Sequence, residues 1–396
     1  MKRIATALVF LIAANLCVAE DVVASAMRIS LVSPLDYQVV QRATRAEGKL
    51  IVAGTILPET KTVLALDALE ARLTGKSAAG DLPGQWQPLP FDARVASFRG
   101  ELTVPTGGWY RLEVRALRNG AEILAAKVEH VGIGEVFVIA GQSNSANYGE
   151  QRQTNLTGFV AAFTGTNWQL AGDPEPGAGG TKGSFMPPFG DEMAEQFHVP
   201  IGVVATGIGS TSVREWLPAG TRLTILPPLT RNVVTVSNGQ WEASGKIFES
   251  FTARMKQLGP NGFRAVLWHQ GESDARQADA TRTLPGGLYR QYLEQLIRDS
   301  RQAIGWDAPW FVAQVSYHNP GDTASPDIRA AQKALWDDDG LALPGPDTDT
   351  LTGDMREKKG MGIHMSEKGL KAHAQLWFEK VSPWLEQQLD EAVKTK

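Results

Sequence analysis

Val136-Phe137-Val138-Ile139-Ala140 is an unbroken apolar run that stops at Gly141 and at once presents Gln142-Ser143-Asn144-Ser145. An apolar run closed by a small-residue turn reads as a central strand of a parallel sheet, buried on both faces. Open α/β sheets bind ligands just beyond the carboxyl ends of their strands, so Ser143 stands where a nucleophile is useful. Serine is common after a strand, and position alone does not make it catalytic.

The 396 residues exceed what one compact core usually needs and suggest about two domains. Lys2 and Arg3 precede an apolar run from Ile4 to about Ala14, and Cys17-Val18-Ala19 offers small residues for cleavage. This layout predicts a secretory signal over residues 1–19, a mature chain from Glu20, and a secreted or periplasmic protein. The run is short for a bilayer span and no later segment has eighteen consecutive apolar residues, so no transmembrane helix is expected. Leu16 before Cys17 argues against a lipid anchor. Cys17 is the only cysteine and leaves with the leader, which excludes disulfides and cysteine-ligated zinc from the mature chain. The formal charge of −4 falls to −6 without the Lys2 and Arg3 cations, and no basic block stands out, so nucleic acid is not an expected partner.

The pattern along the chain changes near Gly132. Before it, short alternating runs recur at Gly48 to Leu57, Lys61 to Leu73, Ala96 to Val104, Trp109 to Leu117 and Glu122 to Val128. Tyr110, Leu112, Val114 and Ala116 fall on one side of a strand, with Arg111, Glu113 and Arg115 on the other. Asn119-Gly120 marks a hairpin turn. Residues 27–131 are therefore expected to form a small immunoglobulin-like β-sandwich, with Gly80 to Pro90 as a loop.

Residues 132–390 alternate strands with helices, the pattern of a parallel sheet covered on both faces. The strands are Glu135 to Ala140, Ile201 to Thr206, Arg264 to Trp268 and Trp310 to Ser316. The helices are Asp191 to Phe197, Ile247 to Leu258, Leu288 to Ile304, Ile328 to Trp336 and Glu367 to Phe378, the last capped by Ser366. Asp173 to Gly183 and Leu217 to Ala243 read as long loops at the mouth of the sheet. Gly177 to Lys182 superficially suggests a phosphate loop, but Gly183 follows the lysine where Ser or Thr is required. No internal repeat is evident.

The other strand ends also carry reactive side chains. The second runs into Gly207-Ile208-Gly209-Ser210-Thr211-Ser212, the third ends in Trp268-His269-Gln270-Gly271-Glu272-Ser273-Asp274, and the fourth in Tyr317-His318-Asn319. Each cluster alone is ordinary loop composition; their coincidence on one rim points to an active site. A serine nucleophile needs a base, normally histidine. His130, His198 and His373 fall at a junction, a helix end and an amphipathic helix, which leaves His269, His318 and His364. His364 lies in a loop just before the last helix, where a side chain can reach over the rim.

These residues resemble those of the SGNH hydrolases, and within them the sialate O-acetylesterase-like carbohydrate esterases. Gly141-Gln142-Ser143-Asn144 is similar to the nucleophile block, and Gly209-Ser210-Thr211-Ser212-Val213 through Trp216 to the glycine block. His269-Gln270-Gly271-Glu272-Ser273-Asp274 resembles the third block, and Ile363-His364 with Gly369 the histidine block. The matches are ordered and cover most of Gly132 to Lys380. The resemblance implies a flavodoxin-like three-layer α/β/α SGNH hydrolase domain, preceded by the β domain often found in this group. It implies that Ser143 attacks an acetyl carbonyl of an acetylated glycan with His364 as general base. It also implies an oxyanion hole of the Ser143 and Gly209 backbone N–H groups and the Gln270 amide, donors often worth about 3 to 4 kcal/mol each. Neither metal nor cofactor is called for.

Two departures matter. Relatives often carry Asp three residues before the histidine, where this chain has Met361. Asp354 and Glu272 are the candidate acids, a backbone carbonyl is the alternative, and Glu272 has a competing reading as an ion-pair partner of Arg329. Ser210 stands where a second glycine is common. Trp168, Trp216, Trp241 and Trp268 fall near the rim as candidate platforms for sugar rings, although tryptophan is more often core. Sialic acid, xylan and other acetylated polysaccharides fit equally well. The rival expectation is a noncatalytic glycan-binding protein that lost turnover with the missing aspartate.

Overall fold

The computed structural model describes residues 27–57, 66–77, 79–237, 239–336 and 340–394. The expected signal segment and part of the Lys61 to Leu73 run lie outside the described residues. The N-terminal strands are β1 (Arg28–Ser33), β2 (Gln38–Gln41), β3 (Glu47–Leu57), β4 (Ala68–Thr74), β5 (Ser97–Pro105), β6 (Gly107–Arg118) and β7 (Ala121–Gly141). β1, β3 and β5 pair antiparallel in one sheet, and β4, β6 and β7 in a second. Between them lies a core that includes Leu50, Val52, Phe98, Leu112 and Val114. The β6–β7 hairpin turns at Asn119-Gly120 with φ of 51° and 74°, the two positive values that suit the twist of the flanking strands.

β7 has 21 residues, far beyond the usual length. The change of pattern near Gly132 is accordingly a change of partners and not a break in the chain. Up to Ile133 the strand pairs with β6; Val131 to Gly134 also run parallel to β2. From Glu135 onward it becomes the centre of a parallel sheet, flanked by β10 (Ile201–Ala205) and β11 (Ala265–His269). Beyond these lie β8 (Val160–Phe163) with antiparallel edge strand β9 (Trp168–Leu170), and on the other side β12 (Trp310–Gln314) and β13 (Leu343–Asp347). The order β9-β8-β10-β7-β11-β12-β13 puts the chain's change of direction at β7, and ligands bind at such a switch point. Strands β9 and β13 lack long hydrophobic runs, so the sequence does not announce them, whereas β8 lies in the apolar stretch Phe159 to Phe163, which the sequence expectation passed over.

Among the described residues, five helices of nine or more residues cover the sheet: α1 (Met186–Phe197), α2 (Lys246–Gln257), α3 (Gly286–Ile304), α4 (Pro326–Ala334) and α5 (Glu367–Lys394). Val136, Val138 and Ala140 share a core with residues of α2, α3 and α4, while Phe137 and Ile139 pack with residues of α1 and α5. One strand thus supplies both faces, as its continuous hydrophobicity requires. The expected loop from Leu217 to Ala243 carries a small three-stranded sheet of Arg222–Leu223, Val233–Thr235 and Trp241–Ala243.

Glu135, fully buried where β7 changes partners, accepts from Arg42 Nε at 2.6 Å, Arg264 Nε at 2.7 Å and Gln41 Nε2 at 2.7 Å. Removing one partner of a buried ion pair leaves an uncompensated charge, a loss of about 3 to 5 kcal/mol. Glu135→Ala should lower the unfolding free energy by that amount, read as a lower urea midpoint at unchanged slope. An unfolding free energy within about 1 kcal/mol of the parent would show that the two guanidinium groups do not depend on this carboxylate.

Candidate active site

The nucleophile turn follows from Gly141. Its φ of 127° suits glycine, and a Cβ there would lie 2.1 Å from the His269 carbonyl oxygen. The chain leaves β7 with Gln142 N–H still bonded to that carbonyl at 3.0 Å. Ser143 opens a single 3-10 turn, Ser143–Ser145, so its N–H has no partner within the turn. The residue is 4% exposed, and its hydroxyl makes no hydrogen bond among the described residues.

The glycine turn is fixed to the same strand end through Ile208 N–H and the Gly141 carbonyl, 2.9 Å apart. Ser210 takes the left-handed φ of 60° that glycine adopts without cost, so the turn survives the substitution at a strain of order 1 kcal/mol. Beneath it, buried Asp274 accepts from Ser212 Oγ at 2.6 Å, Val213 N at 2.9 Å, Arg214 Nη2 at 3.0 Å and Gln270 Nε2 at 2.6 Å. Gln270 Nε2 also faces Gln142 Oε1 and the Thr211 carbonyl, each at 3.2 Å. Gln270, expected as an oxyanion donor, therefore has its amide hydrogens committed to protein acceptors; it braces the nucleophile and glycine turns. Gly209 N–H makes no hydrogen bond among the described residues.

His364 meets this rim from the far end of the chain. Asn144 Nδ2, next to Ser143, donates to the Ile363 carbonyl at 3.3 Å, and the Tyr148 ring stacks 5.5 Å from the His364 ring. Buried Arg356 donates to the carbonyls of Ile363 at 2.8 Å and Thr348 at 2.9 Å and lies 3.9 Å over the Tyr317 ring, pinning the histidine loop. His364 Nδ1 lies 2.9 Å from Glu357 Oε1. Since a carboxylate only accepts, Nδ1 carries the proton and Nε2 is left as the basic nitrogen. Burial pushes the His364 pKa below its ordinary value, and the Glu357 charge opposes that shift.

Glu357 is the residue that sequence reading missed. It lies seven positions before His364, beyond the expected spacing, and reaches back because Lys358 and Lys359 adopt left-handed φ of 55° and 58°. Its N–H bonds the His364 carbonyl at 2.9 Å. Gly362 leaves room for its side chain: a Cβ there would lie 2.2 Å from Glu357 Cγ. An acidic residue followed by two lysines and a Gly-Met-Gly stretch was the available signal, but nothing local distinguishes it from a solvated turn.

Neither candidate acid touches His364. Asp354 is exposed and pairs with Lys368 Nζ at 2.7 Å. Glu272 points to Asn144 Nδ2 at 3.0 Å, with its carboxyl pushed up to about 7 chiefly by burial. Its alternative partner is excluded too, because Arg329 binds Asp347 at 2.6 Å and Asp349 at 2.9 Å. His269 is buried against Thr348 Oγ1 at 2.8 Å, its pKa pushed down to about 3 by burial. His318 bridges the Glu272 carbonyl at 2.6 Å and Asp322 at 2.9 Å. Trp168, Trp216 and Trp268 are core side chains, while Trp241 is half-buried in the small sheet. The described residues contain no cluster of three or more metal-ligating side chains.

Because Glu357 raises the pKa that burial lowers, Glu357→Gln should depress the His364 pKa further. NMR titration of the ring protons reads this directly, and an unchanged value would separate the two groups in solution.

A carbohydrate acetylesterase from Xanthomonas citri shares the fold at 18% identity and a TM-score of 0.52, over 88% of this chain and 73% of its own. A protein from Arabidopsis thaliana is 17% identical over 64% of this chain and 98% of its own, with a TM-score of 0.43. No curated protein matches the sequence. No helix among the described residues is long and apolar enough to cross a membrane. The family described as carbohydrate esterase, sialic acid-specific acetylesterase matches residues 133–370, the stretch holding the Ser143 turn, the glycine turn and the Glu357–His364 pair, and the chain belongs to that family of carbohydrate esterases.

Proposed function

We propose that this carbohydrate esterase removes O-acetyl groups from a glycan by a serine acyl-enzyme mechanism, with Ser143, His364 and Glu357 as its triad. The observation that carries the reading is the Glu357–His364 contact of 2.9 Å on a loop hydrogen-bonded to the residue after Ser143. Ser143 Oγ attacks the acetyl carbonyl carbon while His364 Nε2 takes its proton. The developing oxyanion is met by the N–H groups of Ser143 and Gly209, neither of which has a hydrogen-bond partner among the described residues. His364 returns the proton to the departing sugar oxygen, and a water deprotonated by the same nitrogen releases acetate. Glu357 holds the tautomer and stabilises the imidazolium.

The matched family supports sialic acid among the substrates, and acetylated polysaccharides fit the same chemistry. Under this reading residues 132–390 are a flavodoxin-like SGNH domain with α/β/α layers, residues 27–131 a β-sandwich, and residues 1–19 a leader for export to the periplasm or medium. The rival reading, a glycan-binding protein without turnover, rested on the absent aspartate at Met361, and Glu357 supplies that carboxylate.

Ser143→Ala should abolish hydrolysis of an aryl acetate while the circular dichroism spectrum stays unchanged, and a serine-directed phosphonate should label Ser143; labelling elsewhere would refute the assignment. Glu357→Gln should reduce turnover about 10⁴-fold, as loss of the orienting acid does in the Ser-His-Asp case. Asp354→Asn should stay near the parent, and equal losses in the two variants would remove Glu357 from its role. Because the His364 pKa lies below 6.5, the acid limb of kcat/KM should have its midpoint below pH 6.5.

A further inference from the structure

A cavity of about 1140 Å³ opens at the opposite end of the parallel sheet from Ser143. Arg264 and Pro309, just before β11 and β12, lie on its wall, and the facing wall comes from the N-terminal strands. From Glu135 to Gly141 β7 rises about 20 Å, so the cavity and the Ser143 turn cannot share one sugar ring.

The lining is basic in an acidic protein. Arg42, Lys49, Arg99, Lys256 and Arg264 face only two acids there, Glu101 and Asp307, whereas the whole chain has a formal charge of −4. Glu135 serves Arg42 and Arg264, and Glu101 serves Lys49 at 3.3 Å. Arg99 and Lys256 form no ion pair among the described residues. Arg42, whose side chain is 1% exposed, keeps its Nη2 without a hydrogen-bond partner. Trp306, packed 4.8 Å from the Phe263 ring, adds an aromatic surface to the same cavity.

Cations on opposing walls of a cavity that also includes an aromatic side chain match a sugar that bears carboxylates, since guanidinium groups bind carboxylates through charge-assisted, two-point hydrogen bonds. The volume exceeds that of a pocket for one small ligand, which favours several linked rings. We propose that this cavity is a second, noncatalytic binding site for a carboxylate-bearing oligosaccharide, with Arg99 and Lys256 as its free cations. Such a site tethers an acidic glycan to the N-terminal strands while the rim acts elsewhere on the polymer. The proposal goes beyond the esterase reading and does not depend on turnover.

The test is calorimetric titration of the full chain with de-esterified tetragalacturonic acid, and with xylotetraose as the neutral probe. The acidic probe should bind, and the double variant Arg99→Ala, Lys256→Ala should weaken it at least tenfold with aryl acetate turnover unchanged. Raising salt from about 50 to about 500 mM should weaken it severalfold. Absence of binding, equal binding of the neutral probe, or binding indifferent to the double variant would overturn the proposal. Displacement by single-stranded DNA with the same variant dependence would reassign the cavity to nucleic acid and overturn it equally. Failure of the Ser143 tests leaves these outcomes untouched, so the two readings stand or fall apart.

Discussion

The molecule depends on β7 being one strand with two sets of partners. Its first half is a ladder member of the N-terminal sheet and its second half the middle of the parallel sheet, so no flexible linker separates the two. Buried Glu135 sits where the partners change, holding Arg42 from the N-terminal part and Arg264 from the strand beside it. A buried ion pair adds little net stability over an apolar replacement, but its geometry requires both guanidinium groups in place, which fixes how the N-terminal strands meet the sheet. The end of the same strand then delivers Ser143 at the switch point.

The rim is held by a second set of buried polar contacts. Asp274 gathers donors from the glycine turn and from Gln270, while Gln142 Oε1 accepts from both Gln270 Nε2 and the Ser273 N–H at 3.0 Å. Three turns from three strand ends are thus tied through one carboxylate and one amide. In a low-dielectric interior such hydrogen bonds are strong, and the one member left open is Gln270 Oε1, which is buried without a partner among the described residues. The Ser143 and Gly209 N–H groups are therefore carried by turns that are tied to one another.

Electrostatics divide the histidines by burial. His269 is pushed down to about 3 and His373 is lowered well below its ordinary value, so both stay neutral within the core. His364 feels the same desolvation but also a carboxylate at 2.9 Å, which limits the shift. Of the three, only His364 has the partner that stabilises its protonated form, the property a general base requires.

The sequence alone determined the mixed α/β class of the fold and the strand ends on which the candidate site residues stand. Continuous apolar runs at Val136 to Ala140, Ile201 to Ala205 and Ala265 to Trp268 specify buried parallel strands, because only such strands need both faces apolar. The period-two pattern of β6 and the Asn119-Gly120 turn are equally local. The placement of Ser143 and Gly209 after strand ends and of His364 in the loop before the last helix was legible, because the elements that carry them have local sequence signals. Tertiary structure alone decided the rest. Glu357 reaches His364 through two left-handed lysines, a conformation no propensity announces, and Gln270 spends its amide on Asp274 because strands distant in sequence bring them together. Asp354, just as acidic and nearer the expected motif in kind, faces solvent and Lys368. Which carboxylate serves the histidine is a question of chain path, and residue types at a given spacing do not encode that path.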